Sequence, residues 1–573
     1  GTGPSALYSL KYLTECLPGG RIVLFEAGER AGVGTPYEER FNPRSMLANI
    51  ASIELPPVQS TLLDWLIGLP GAERTRLGIT DDQLTERHFF PRMVLGHYFA
   101  AQLEATLALA ERRGIAVEVR TRTAVTDLAS GPGGVDVQFR SGKAIQSQRF
   151  DLVIVATGHQ APRPADEDDA LAHPYREQGT IAAARRLGII GTSLSAIDVA
   201  VAQASRHGRF VREAEVLRFV PHDPGSQRSI VMLSRSAILP EADFYCPIPY
   251  EPLDVFTPAA VRKAVTEQDG ALDRLFALFV SQLEVADPDY CAALGLDTAD
   301  PDTFAERYFA ARSGAEPFIH AALNLAEVRR NAAARRTVPW RYAILRMHEP
   351  FGEVLCDLSD ADQERFAAGL KRVFVDNYAA IPPLSIERLL ALHQAGVLSV
   401  GRLGGDYDTT QHEDGSWSVS NGDDAWTFDT LVDARGQGAL GQDEFPFPTL
   451  RLQIRAQSLR QGDLTDAVPL ADANALASDN DPLARVFCLA LPFVMWRNPF
   501  VQGLTAAHDM GRDAAEAIAA RLVQTCGSHD PREAIAEVIE HLDETTIILQ
   551  GGVNGLQPLV LADTSAESPS EPR

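Results

Sequence analysis

The sequence predicts an α/β protein with two parallel-sheet lobes, each opening on a small-residue turn, the second of which carries a helical insert. Three observations carry that expectation. The chain opens with Gly1-Thr2-Gly3-Pro4-Ser5-Ala6, a Gly-x-Gly-x-x-Ala turn, followed by the apolar run Arg21-Ile22-Val23-Leu24-Phe25, which ends in Glu26. Farther on, Arg186-Leu187-Gly188-Ile189-Ile190 runs into a similar turn, Gly191-Thr192-Ser193-Leu194-Ser195-Ala196, and Ser229-Ile230-Val231-Met232-Leu233 follows it. Finally, the stretch from Arg235 to roughly Val400 is too long for a loop, and its Leu272, Leu275, Phe276 and Phe279 fall at the i, i+3, i+4, i+7 spacing of one helix face.

The turns point to phosphate binding. Glycine permits a tight bend and lets a pyrophosphate approach the main chain, where a helix N-terminus offers unpaired N–H groups and the positive end of its dipole. Glu26 lies roughly 20 residues past the first turn, where a carboxylate accepts hydrogen bonds from a ribose 2′-OH and repels a 2′-phosphate. That site suits the AMP half of FAD. After the second unit's next strand stands Ser234-Arg235-Ser236, a guanidinium between hydroxyls that suits a 2′-phosphate and hence NADPH. Both units are Rossmann-like, with Gly1, Gly3, Ala6 and Glu26 in the first and Gly191, Ser193, Ser195 and Arg235 in the second. The apolar strand that should precede the first turn is missing from the chain, so the first sheet is expected to lack its opening strand.

Between the units, the first lobe runs through the glycine-rich loop Ala31-Gly32-Val33-Gly34-Thr35-Pro36-Tyr37 to Met46-Leu47-Ala48-Asn49-Ile50. It continues to a helix near residues 94–99 and closes with a buried strand ending in Ala156-Thr157-Gly158-His159, where small residues permit a crossing beside a dinucleotide. Phe428-Asp429-Thr430-Leu431-Val432-Asp433-Ala434-Arg435-Gly436 repeats that strand with Ala-Arg-Gly. The expected division is an FAD-binding domain over 1–165 and 436–530, an NADP-binding domain over 180–435 with a helical insert at about 245–395, and a C-terminal extension over 531–573. The Ser-, Pro- and Glu-rich end, 563–573, has the composition of a disordered tail.

Composition narrows the function classes. At 573 residues the chain exceeds one core, and a net charge of −25 argues against nucleic acid or an anionic membrane surface as partner. No apolar run reaches the roughly 18 residues of a membrane span and no signal peptide is evident, so a cytoplasmic protein is expected. Six scattered cysteines, Cys16, Cys246, Cys291, Cys356, Cys488 and Cys526, include no C-x-x-C pair, which leaves no reductase-type dithiol and no zinc spacing. Neither a metal site nor a catalytic side chain is assigned.

Gly1/Gly3/Ala6 with Glu26, Ala156-Thr157-Gly158-His159, Gly191/Ser193/Ala196 and Arg235, taken in order, resemble the FAD/NAD(P)-binding flavoproteins with two dinucleotide domains, the glutathione-reductase-like superfamily. The loop between Gly32 and Asn49 resembles a bacterial branch that includes the nitrosuccinate synthases, flavin-dependent monooxygenases acting on the amino nitrogen of aspartate. The resemblance covers about residues 1–530. It implies FAD contacts from Gly32, Gly34, Asn49, Thr157 and Gly158, and a closing FAD helix that opens at Gly503-Leu504. Two patterns depart from related enzymes: the F-x-G-x-x-x-H fingerprint of Baeyer–Villiger-type monooxygenases and the N-terminal pattern of ornithine and lysine hydroxylases are both absent.

FAD with NADPH allows hydride transfer to flavin N5, after which the reduced flavin needs an acceptor. With no dithiol, Fe–S or haem spacing, molecular oxygen is the simplest one. A monooxygenase of this kind would form a flavin C4a-hydroperoxide in a water-excluded pocket and oxidise the amino nitrogen of a small, aspartate-like amino acid. Arg341 and Arg346, within an arginine-rich stretch of the insert, are candidates to hold the substrate carboxylate. The alternatives are an NADPH-dependent reductase or oxidase passing electrons to a quinone, a protein or oxygen, and a non-catalytic flavoprotein scaffold.

Overall fold

The computed structural model describes residues 1–159, 171–174, 178–225, 228–267, 269–436, 438–462, 465–478, 481–501 and 503–525. The expected C-terminal extension, its tail and Cys526 lie outside the described residues. Residues Gly1–Ala520 form one compact unit, and Arg521–Arg573 are a second.

The second lobe shows the βα logic most plainly. Its strands Leu398–Arg402, Ser229–Ser234, Arg186–Ile190 and Thr430–Asp433 form one parallel four-stranded sheet in that order. Arg186–Ile190 is central and its last four residues are buried, as a continuous apolar run covered on both faces should be. It leads through Gly191 into the Leu194–His207 helix, whose residues 196–204 are all buried. A three-stranded antiparallel sheet, Asp408–Gln411, Trp417–Ser420 and Ala425–Phe428, immediately precedes the Thr430–Asp433 strand.

The first lobe repeats this plan. Gly20–Phe25 pairs in parallel with Ile115–Arg120. A three-stranded antiparallel sheet, Thr123–Gly131, Gly134–Ser141 and Ala144–Phe150, precedes the short strand Val153–Val155, which pairs in parallel with Val486–Cys488. Here the two parallel pairs are separate sheets, and among the described residues no strand joins them. Gly1 and Thr2 stand where the pairs approach, with Thr2 bonded to Glu26 after one and Gly1 against Ala156 after the other.

From Pro258 to Gln394 the named elements are all helices. Proline opens several of them, at Pro258, Pro288, Pro317, Pro339 and Pro383, because the first turn needs no N–H donor and the fixed φ suits it. Leu272, Leu275, Phe276 and Phe279 project from the Ala271–Ala286 helix into a phenylalanine-rich core with Phe256, Phe304, Phe351 and Phe374. Phe318, Leu325, Ile386 and Leu389, from the Pro317–Ala333 and Pro383–Gln394 helices, instead pack into the second lobe's core with Leu187, Ile189 and Met232. The helical stretch therefore divides between a core of its own and the underside of the second sheet. Among the described residues no helix is long and apolar enough to cross a membrane.

Candidate functional site: two glycine cradles and the chamber between lobes

At the first turn, backbone packs so closely that side chains are excluded. A Cβ on Gly1 would lie 2.8 Å from the Ala156 carbonyl oxygen, and one on Gly3 would lie 3.1 Å from Gly34 Cα. Gly32 and Gly34 have φ of 88° and 77°, and a Cβ on Gly34 would meet Pro4 Cδ at 2.9 Å. Gly1, Gly3, Glu26, Gly32 and Gly34 are thus brought into one cluster beneath the N-terminus of the Pro4–Cys16 helix, in whose first turn Ala6 lies. Thr2 ties them together. Its N–H and hydroxyl donate to Glu26 Oε2 at 2.9 and 2.7 Å, and its hydroxyl oxygen accepts from the Gly32 N–H at 3.0 Å.

The second turn repeats the arrangement. Gly191 has φ of 126°, and a Cβ there would lie 2.7 Å from the Ala434 carbonyl oxygen, the counterpart of Gly1 against Ala156. Thr192 is the counterpart of Thr2, buried, with its hydroxyl donating to the Ile238 carbonyl at 2.8 Å and lying 3.1 Å from Ser234 Oγ. Ser193 is the N-cap of the Leu194–His207 helix and makes no side-chain cap, while Ser195 sits half-buried in its first turn. Exposed Arg235 follows the next strand, Ser229–Ser234, so the position of Glu26 in one cradle is taken by a cation in the other. Both donor sets fit a dinucleotide: a bare turn at a helix N-terminus with the expected ribose partner beside it.

Other expected contacts fall around the first cradle. Asn49 is half-buried, and its Oδ1 has no hydrogen-bond partner, as an amide awaiting a ligand would be. Gly158 has φ of 72° with open space around its Cα, and Thr157 precedes it. The Gly503–Thr525 helix begins at Gly503, φ 80°, and Leu504 packs into the first lobe's core with Leu7 and Tyr8. That helix runs alongside Pro4–Cys16. Tyr12 Oη is 2.6 Å from His508 Nε2, and Gly511 approaches Ser9 so closely that a Cβ would lie 2.9 Å from its nitrogen.

Between the lobes lies a cluster of polar and titratable side chains whose acids the sequence did not single out. Tyr250 Oη donates to Glu54 Oε1 at 3.3 Å, and Arg87 Nη2 donates to the Cys246 carbonyl at 2.8 Å while its guanidinium covers the Tyr245 ring. Burial and the nearby Glu54 carboxylate push Asp243 up to about 7, with Arg341 and Arg87 opposing. Burial also raises Glu54, against hydrogen bonds from the Ala51 N–H and Tyr250. Burial raises both carboxyls, and the Glu54 charge adds to the rise of Asp243, so the protonated form of Asp243 is favoured.

Asp243 has a stability consequence. Its carboxyl holds a proton more tightly in the folded chain than at the ordinary aspartate value of 3.8, so its contribution is full below that pH and is lost as pH rises through about 7. Asp243→Asn is therefore expected to gain stability relative to the parent between pH 5 and pH 8, read by chemical denaturation at each. An unchanged difference would contradict this account of the cluster.

The two expected substrate arginines part company. Arg341 is buried, 2.8 Å from Glu241 Oε2, with its guanidinium over the Phe244 ring. Burial alone would raise Glu241, but Arg341, His320 and Arg312 outweigh it and hold the carboxyl at about 2. Arg341, expected as a candidate for a substrate carboxylate, is thus paired inside the protein, with its Nε and Nη2 buried and without hydrogen-bond partners. Arg346 is less enclosed, stacked 4.4 Å over Tyr250 beside the cluster and paired with exposed Glu349 at 2.6 Å.

Fold and cradles together define a two-lobed dinucleotide-binding protein, and comparison with known proteins agrees. Residues 1–160 match a family model described as FAD-NAD(P)-binding, and residues 257–378 match the YdhS-like middle domain. The chain belongs to the YdhS family: it is 40% identical over 526 residues to the uncharacterized protein YdhS of Escherichia coli strain K12, an alignment covering 90% of this chain and 96% of that protein. Among solved structures it is similar to the ornithine N-hydroxylase of Kutzneria sp. 744, at 14% identity and a TM-score of 0.49 over 91% of this chain and 98% of that one. The ornithine hydroxylase of Pseudomonas aeruginosa shows 13% identity and a TM-score of 0.46 over the same shares.

Proposed function

We propose that the chain is an FAD-dependent, NADPH-consuming monooxygenase that oxidises the amino nitrogen of a small, aspartate-like amino acid. The observation that carries this reading is the pairing of an acid-marked and a cation-marked glycine cradle within one unit, with a cluster of titratable side chains between their lobes. FAD, when bound, would accept a hydride from NADPH and pass the electrons to molecular oxygen. The sequence has no C-x-x-C pair, the spacing of a thioredoxin-reductase-type dithiol.

The residues of the first cradle would hold FAD: Gly1, Gly3, Ala6, Gly32 and Gly34 at the pyrophosphate turn, Glu26 at the ribose, and Asn49, Thr157, Gly158, Gly503 and Leu504 around the remainder. Gly191, Ser193, Ser195 and Arg235 would hold NADPH. At that cluster, an amino nitrogen must lose its ammonium proton before it can attack an electrophilic oxygen. Asp243, poised near neutrality, accepts that proton, and Glu54 keeps the site anionic enough to attract the ammonium. Arg346 faces the substrate carboxylate, where a guanidinium binds in bidentate fashion.

The test is NADPH consumption by the FAD-loaded protein in air, with and without a panel of amino acids, measuring peroxide beside product. Aspartate should speed NADPH oxidation, lower the peroxide yield and give an N-oxidised product. If no amine changes either rate or leakage, N-oxidation is wrong and the protein is a reductase or oxidase.

A further inference from the structure

The second cradle opens on a cleft of about 310 Å³ that two lobes of different character share. One wall is the turn itself, Thr192 and Ser193, with Ser236 after the neighbouring strand. The opposite wall belongs to the family's middle domain: Lys371 and Arg372 from the Leu370–Tyr378 helix, and Phe309. Nothing in the nucleotide-binding pattern of the sequence pointed to these two cations.

The chain carries a net charge of −25, yet Lys371 and Arg372, side by side on the cleft wall, form no ion pair among the described residues. Both are half-buried, and Arg372 is fixed by its guanidinium lying 4.9 Å over the Phe309 ring. They also occupy the first turn of their helix, which has no acidic residue there and no side-chain cap. A helix dipole disfavours cations at that end, so folding stability does not account for their position. The one carboxylate on the cleft wall, Asp376, is already engaged by Arg312 Nη1 at 2.5 Å and by the Tyr308 hydroxyl at 2.7 Å, so it does not offset them.

We propose that Lys371 and Arg372 close over the phosphates of a nucleotide seated on the Gly191–Ser193 turn, so that the middle domain completes the NADPH site. The inference rests on the reading of the second cradle as a nicotinamide nucleotide site. A pyrophosphate or 2′-phosphate there would meet backbone N–H groups at the start of the Leu194–His207 helix on one side and two side-chain cations on the other. The middle domain thereby becomes part of the nucleotide recognition surface.

The experiment uses full-length, FAD-loaded protein and follows anaerobic flavin reduction by NADPH in a stopped-flow instrument, with calorimetric binding of NADP⁺ as a second measurement. Lys371→Gln and Arg372→Gln should each weaken nucleotide binding by roughly tenfold and the double variant by more, with the limiting reduction rate changed less than about twofold; tenfold is about 1.4 kcal/mol. Arg372→Lys should recover part of the loss. NADH locates the contact: a penalty confined to NADPH assigns the cations to the 2′-phosphate, and an equal penalty assigns them to the pyrophosphate, either result supporting the clamp. Circular dichroism and FAD content report whether each variant is folded. If folded variants bind NADP⁺ as tightly as the parent does, the clamp is wrong while the cradle assignment stands. If the parent itself binds no NADP⁺ and is not reduced by NADPH, the cradle assignment fails as well.

Discussion

Replacing Glu241 by alanine is expected to destabilise the protein by about 3–5 kcal/mol, the cost of leaving a buried cation without its counter-ion. Glu241 lies 2.8 Å from Arg341 and 3.0 Å from His320, and 3.8 Å from Arg312. Arg312 keeps Asp376 when the carboxylate is removed, but Arg341 loses its ion-pair partner and already has Nε and Nη2 buried without hydrogen-bond partners. The loss should appear in urea denaturation as a lower midpoint. Glu241→Leu combined with Arg341→Met should recover most of it, because removing both charges also removes the desolvation cost. A single variant as stable as the parent would mean that Arg341 is not held in the way described.

Gly191→Val should abolish binding of NADP⁺ and NADPH, with affinity falling at least a hundredfold, while FAD content is retained. The position tolerates no side chain: φ is 126°, and the first added carbon would lie 2.7 Å from the Ala434 carbonyl oxygen. The turn must shift to relieve that contact, and a displaced turn no longer presents the helix N-terminus to a phosphate. Calorimetry with NADP⁺ and the flavin absorbance of the purified variant separate the outcomes. Simultaneous loss of flavin would show that the two cradles are not independent.

Much of this was legible in the sequence because it depends on local geometry. A glycine that must bend the chain, an acid or cation at the end of the next strand, and the Ala-x-Gly crossings at Ala156 and Ala434 all act over short spans or at a fixed distance from the turn. The matching threonines, Thr2 and Thr192, were equally visible as a repeated Gly-Thr pair, but their role emerges only once each hydroxyl is seen joining its turn to a neighbouring segment.

What the sequence withheld are pairings across long separations. Nothing near Arg341 announces Glu241, which lies 100 positions earlier in the chain and pairs with it only in the fold. Asp243 and Glu54 lie in different lobes, and the unusual proton affinity of Asp243 exists only where folding buries them together. Lys371 and Arg372 belong to no motif, and only the fold sets them across a cleft from Ser193.

The central claim is that a flavin and a nicotinamide nucleotide occupy separate cradles of this one unit, close enough to exchange a hydride. Anaerobic titration of the FAD-saturated, full-length protein with NADPH tests it directly. Loss of the oxidised flavin absorbance at about one NADPH per bound FAD is the predicted result. A protein that takes up no FAD, or whose bound FAD keeps its yellow colour in excess NADPH, would contradict the account.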